Sequence, residues 1–162
     1  MRCIAVALLC AGAAPAQHVT TIDKLPAAVN GFFAVRTQTP LPCSVTPTQP
    51  ALNFGFRFQA GYTLRTSLDP YQNGKHHWDI AFRVTPEDIP GQPVYFADSI
   101  DVPATLRPDF VALASGAFLV GEGRYDVKWN LLDDLGRVCR QEWTLDAVSR
   151  HHGRSRNQGP SA

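Results

Sequence analysis

The chain has 162 residues, of which 44% are hydrophobic and 18% charged, with 13 prolines and 12 glycines. That length suits one domain of ordinary size with tails, and the apolar content is too high for a disordered chain. Fifteen Lys and Arg against fourteen Asp and Glu give a net charge of +1, too weak a field to point to nucleic acid. Beyond the N-terminus no apolar run reaches the roughly 18 residues that a membrane span needs.

The first residues, Met1-Arg2-Cys3-Ile4-Ala5-Val6-Ala7-Leu8-Leu9-Cys10, put one positive charge before an apolar stretch that ends in the small residues Ala14-Pro15-Ala16. This is the layout of a secretory signal peptide, residues 1–16, cleaved before Gln17. It makes the protein an exported one, periplasmic or secreted, with no transmembrane segment after cleavage. A buried N-terminal helix is the plainer alternative. A lipoprotein reading through Cys10 fits less well, because Leu9 stands where a small residue is expected and the apolar run is short. Cleavage leaves Cys43 and Cys139, which in an oxidising compartment most simply form one disulfide. Two unpaired buried thiols are the alternative. A redox or zinc role lacks a C-x-x-C pair, so no metal and no cofactor is called for.

Residues 17–40 read as an N-terminal extension in which 22–29 allow one short helical turn. From Phe54 to Leu68 the even positions are Phe54, Phe56, Phe58, Ala60, Tyr62, Leu64, Thr66 and Leu68, alternating with polar or tiny residues. That period of two predicts a half-buried strand, with a break at Ala60-Gly61 because fifteen residues exceed a usual strand. Asp69-Pro70-Tyr71-Gln72-Asn73-Gly74 is turn chemistry. Alternation returns at Trp78, Ile80, Phe82 and Val84, and shorter apolar segments follow at 93–100 and 110–120. Tyr125, Val127, Trp129 and Leu131, the turn Asp133-Asp134-Leu135-Gly136 and the run 138–145 together predict an antiparallel hairpin. Trp78, Trp129 and Trp143 fall on inward faces. The tail 149–162 carries Arg150, Arg154 and Arg156, no acid and no apolar period, and reads as a disordered basic end.

No segment holds a period of 3.6, so several short strands mean an all-β sandwich or barrel. Gly121-Glu122-Gly123-Arg124-Tyr125-Asp126-Val127 resembles the tyrosine corner of immunoglobulin-like domains, where a tyrosine hydroxyl bonds the backbone a few residues upstream. Val127 stands where antibody domains carry a cysteine. The fold expected is therefore an antiparallel immunoglobulin-like β-sandwich of about seven strands over residues 41–148. The strands are placed near 43–46, from 52, from 77, near 94, near 110–119, from 124 and from 137. In that layout the first and last strands lie close, which suits a bridge from Cys43 to Cys139.

The segments Leu52–Tyr62, Gly121–Tyr125 and Asp133–Arg140 also resemble a family of uncharacterised exported acidobacterial proteins, over roughly residues 40–146. The resemblance implies export and a single domain. It implies no activity and carries over no catalytic residue.

The chemistry-bearing motifs sought in the sequence, G-x-S-x-G, H-E-x-x-H, a P-loop and a dinucleotide fingerprint, are missing, which lowers the expectation of catalysis without excluding dispersed residues. His76 and His77 are neighbours on a strand, so they point to opposite faces and suit one metal poorly. Glu87-Asp88 and Asp133-Asp134 sit in turns, where exposed charge is usual. The immunoglobulin-like layout puts the loop 69–76 and the turn 133–137 at one end, making Tyr71, Asn73, His76, Asp133, Asp134 and Arg137 candidate binding residues. Solvated turn residues are the simpler account of the same set. The sequence favours an exported non-enzymatic module that binds or scaffolds an envelope or extracellular macromolecule. The alternative is an exported enzyme with dispersed residues, including a copper histidine brace begun by His18 should cleavage fall after Gln17. A chaperone-like module using a strand edge is a third reading, conditional on a long exposed edge strand.

Overall fold

The computed structural model describes residues 18–20, 39–72, 74–102 and 110–149, which build two packed β-sheets. The strands are β1 (His18–Thr20), β2 (Thr39–Pro40), β3 (Cys43–Leu52), β4 (Phe58–Ser67), β5 (His76–Pro86), β6 (Val94–Val102), β7 (Val111–Val120), β8 (Gly123–Asp133) and β9 (Arg137–Ala147). A 3₁₀ turn, Asp69–Tyr71, lies between β4 and β5. The larger sheet runs β1-β6-β5-β8-β9-β2 and the smaller β3-β4-β7. Every pairing is antiparallel except the short one between β2 and β9.

Without β1 and β2, seven long strands remain in an immunoglobulin-like order: first, second and fifth in one sheet, third, fourth, sixth and seventh in the other. The fourth strand, β6, bonds to β5 rather than lying beside β7, which is its place in constant-type immunoglobulin domains. The signal peptide, the helical turn at 22–29, Asn73 and the tail beyond Ser149 lie outside the described residues.

Strand parity decides the core. Val127, Trp129 and Leu131 are buried, Phe82, Ile80 and Trp78 meet them from β5, and Tyr62, Leu64 and Phe58 close over them from β4. Tyr62 touches Trp129 edge-on at 5.2 Å between ring centroids and Phe82 at 5.7 Å, while Phe82 stacks on Phe96 at 4.8 Å. Burial pushes the Tyr62 hydroxyl up to about 12. Trp143 is only half-buried, at the margin of this core.

The expected fifteen-residue strand from Phe54 is corrected. Residues 53–57 form the turn between β3 and β4, and Phe54 and Phe56 stand fully in solvent. Local polar chemistry overrides the alternation here. Asn53 Oδ1 accepts from the Gly55 and Arg57 amides at 2.9 and 3.1 Å, the Phe56 amide donates back to Asn53 O, and Phe56 takes a positive φ of 55°. Ala60-Gly61 is not a break either, since β4 pairs with β7 without interruption from Phe58 to Ser67. Gly61 is there because a Cβ would collide with the Gly116 carbonyl. The irregularity lies on the partner strand, between Thr48 and Ala51 of β3.

The Cys43–Cys139 disulfide joins β3 of the smaller sheet to β9 of the larger, with Cα atoms 6.1 Å apart and a sequence separation of 96. The two strands are not hydrogen-bonded neighbours; the bridge crosses between sheets along one side of the sandwich. A loop of that length is worth ~4–5 kcal/mol in the chain-entropy model. Reduction should lower the melting temperature while leaving the β-type circular dichroism in place. In urea titrations, Trp129→Ala should cost ~3–5 kcal/mol. Lys128→Ala, at the neighbouring outward position and tied only to exposed Glu142 at 3.0 Å, should cost under ~1 kcal/mol.

Candidate functional site

At the end of the sandwich that carries the loop 68–75 and the turn 133–137, five of the six candidate binding residues come together. Asp133 ends β8 and opens the turn: its carbonyl accepts from the Gly136 amide at 3.0 Å, with Gly136 at φ +76°, and the chain reverses into β9. Its carboxylate faces inward and is wholly shielded from solvent. Oδ1 accepts the Arg137 amide at 2.6 Å, and Oδ2 accepts the Tyr71 hydroxyl at 2.8 Å and Arg137 Nε at 2.7 Å. The Arg137 guanidinium lies 5.0 Å from the Tyr71 ring centroid. Tyr71 is itself fully buried, edge-on to Trp78 and His76.

The role of solvated turn residues is therefore corrected for Tyr71 and Asp133. Both carboxylate oxygens of Asp133 are occupied by groups of its own chain, so this part of the cluster pins the β4–β5 connection to the β8–β9 hairpin. Burial, together with the Asp133 acceptor, pushes the Tyr71 hydroxyl up to about 12. Nearer the surface, Asp134 accepts from His76 Nδ1 at 2.9 Å. His77 points to the other face of β5, exposed, 3.8 Å from Asp79. Among the described residues no three His, Cys, Asp or Glu side chains gather as a metal site would require.

A second feature lies on the side of the sandwich where β3 and β9 run past one another. The disulfide clamps the start of both strands. Beyond it the irregularity at Gln49-Pro50 takes β3 out of register, and a groove of about 1310 Å³ lies between Pro47–Leu52 and Trp143–Ser149. Phe58, Leu145, Trp143 and Leu52 supply apolar surface, and Glu87, Arg124 and Asp146 supply charge. Arg124 Nε reaches Asp146 at 2.6 Å and Glu87 at 3.9 Å, and its guanidinium holds the Asp146 carboxyl below its ordinary range. The Tyr125 hydroxyl donates to Gly121 O at 3.2 Å, fixing the corner from which Arg124 projects.

The backbone along this groove is directed by the pairing. The Leu41 amide donates to Val138 O, so Val138 turns its polar groups away from β8. The β8–β9 register is uninterrupted to Ala147. By strand alternation Glu142, Thr144 and Asp146 then direct N–H and C=O to the open edge of β9. Among the described residues only β2 and Leu41 pair with that edge, at its start. Sequence reasoning placed none of these groove residues in a binding site. The signal available was Pro47 and Pro50 in the first long strand, which mark it as an edge.

No family model and no curated protein matches the sequence. Among solved structures the chain is similar to the Northeast Structural Genomics Consortium target SoR45, at 10% identity and a TM-score of 0.40, over 72% of this chain and 97% of that one. It is also similar to a protein of Bordetella pertussis given the name ApaA, at 10% identity and a TM-score of 0.43, over 71% and 100% of the two chains. Neither likeness bears on function.

Removing one partner of the buried charge pair leaves the other uncompensated, so Asp133→Ala should cost ~3–5 kcal/mol in urea unfolding. The tyrosines set an alkaline limit. Tyr71 and Tyr62 hold their protons to about pH 12 in the folded chain but release them near pH 10 when unfolded. Their contribution is intact below pH 10 and falls as pH rises from there toward 12. Tyr71→Phe should make that fall shallower by up to ~1.4 kcal/mol per pH unit, read from urea midpoints at pH 9 to 11.

Proposed function

We propose that this chain is an exported, non-enzymatic β-sandwich module that binds a macromolecule at the cell envelope by taking an extended polypeptide segment along β9. The observation that carries the reading is the groove beside the open edge of that strand. Main-chain groups of Glu142, Thr144 and Asp146 supply a template for an added strand, and alternate side chains of that strand would meet the apolar surface around Trp143 and Leu145. The opposite wall is unsuited to pairing, because Pro47 and Pro50 lack amide hydrogens. An incoming segment therefore bonds to one side only. The charged group Glu87, Arg124 and Asp146 at one end of the groove would fix its direction.

Export is supported by the inter-sheet disulfide, which persists in oxidising compartments, and by the signal-like N-terminus. No helix among the described residues is long and apolar enough to cross a membrane.

A blocked hexapeptide of alternating valine and threonine is a suitable probe. In ¹⁵N-labelled protein it should shift the amide signals of Glu142, Thr144 and Asp146. Thr144→Pro deletes an outward N–H without removing a bond to β8, so it should leave the fold intact and weaken the probe at least about tenfold, or 1.4 kcal/mol. Shifts confined to other strands, or unchanged affinity in Thr144→Pro, would refute the assignment. Stoichiometric copper or zinc in protein purified from its native host would favour the enzymatic alternative instead.

A further inference from the structure

The smaller sheet has a second edge, and it is built differently. β7 reads Val111-Ala112-Leu113-Ala114-Ser115-Gly116-Ala117-Phe118-Leu119-Val120, ten residues with no charge and no proline. The Leu68 amide donates to Phe110 O, so even-numbered residues of this strand turn their polar groups toward β4. Val111, Leu113, Ser115, Ala117 and Leu119 then direct N–H and C=O outward, and among the described residues no strand pairs with them. The same odd residues carry exposed side chains, with Val111 52%, Leu113 68% and Leu119 51% exposed.

The other edges each differ from it. β3 has Pro47 and Pro50, β6 is capped by β1 at Tyr95–Ala97, and β9, whose open part is the strand-binding edge proposed above, carries the charged Arg140, Glu142 and Asp146, which restrict what can pair there. β7 has neither charge nor proline nor bulge. An exposed apolar edge of this length is stable against uncontrolled pairing only when something regular covers it.

We propose that β7 is the interface of a homodimer, in which it pairs antiparallel with β7 of a second copy about a two-fold axis at Ser115. A strand edge run against itself offers each outward N–H an outward C=O, and the contact is isologous, so it closes after two copies. The side chains also match across the axis. Val111 of one copy meets Leu119 of the other, Leu113 meets Ala117, and Ser115 meets Ser115. No like charges are brought opposite one another along the strand, so a second copy meets no electrostatic penalty there. The product is a continuous six-stranded sheet, β3-β4-β7 followed by its symmetry mate, and it leaves the β9 groove of each copy open.

Sedimentation equilibrium of the oxidised protein over micromolar to millimolar concentration should give a reversible dimer. Leu113→Lys and Ala117→Pro each alter an outward position that makes no bond to β4. Both should remain folded by circular dichroism and sediment as monomers. Ser115→Cys should form an intermolecular disulfide on mild oxidation, because directly opposed residues of an antiparallel pair lie within bridging distance, about 5.5 Å between Cα atoms. Leu119→Cys, opposed to Val111, should form far less. A wild-type protein that stays monomeric throughout, a dimer that survives both Leu113→Lys and Ala117→Pro, or equal cross-linking at 115 and 119 would each overturn the proposal.

Discussion

A sandwich of two separate sheets has four edges, and each edge is a row of amides and carbonyls that the sheet itself cannot satisfy. That constraint organises this molecule more than its core does. The aromatic packing around Trp129, Tyr62 and Phe82 would serve any immunoglobulin-like domain, whereas the edges are each finished in a distinct way. One is capped by a short strand, one is blunted by prolines, one bears charges and a groove, and one is apolar and unguarded. Water solvates exposed amides well enough, so the differences concern what else can replace that water.

The polar cluster around Asp133 shows why proximity alone does not make a binding site. The loop and turn do converge, and Tyr71, His76, Asp134 and Arg137 surround the carboxylate. A ligand there would have to displace bonds of 2.6 to 2.8 Å already made within a shielded setting. Such a network holds two connections in one geometry, which keeps the start of β9 and hence Cys139 in place.

Much of the fold was legible because the period of two is a direct imprint of burial on sequence. Val127, Trp129 and Leu131 could be put inside, and Lys128 outside, from alternation alone. The bridge was legible as the pairing of the two cysteines, Cys43 and Cys139, that lie outside the signal-like N-terminus. Phe54 and Phe56 show where the method failed: the alternation ran on into a turn that Asn53 dictates through two hydrogen bonds. The groove was not legible, since it arises from the relative course of two strands from different sheets and from an irregularity at Gln49-Pro50 that has no periodic signature. The burial of Asp133 was hidden for a similar reason, because Asp-Asp-Leu-Gly reads the same whether its first carboxylate faces water or Arg137.

The position of the two bridged cysteines has a consequence for synthesis. Cys43 opens the first long strand and Cys139 lies near the start of the last, so nearly the entire sandwich is threaded between them. A chain made from its N-terminus presents Cys43 long before its partner. Until β9 has followed, that thiol lacks the partner it has in the folded protein, and a chain cut short before Cys139 never gains it. The bond thus marks completed molecules, and a free Cys43 is a chemical label of truncation.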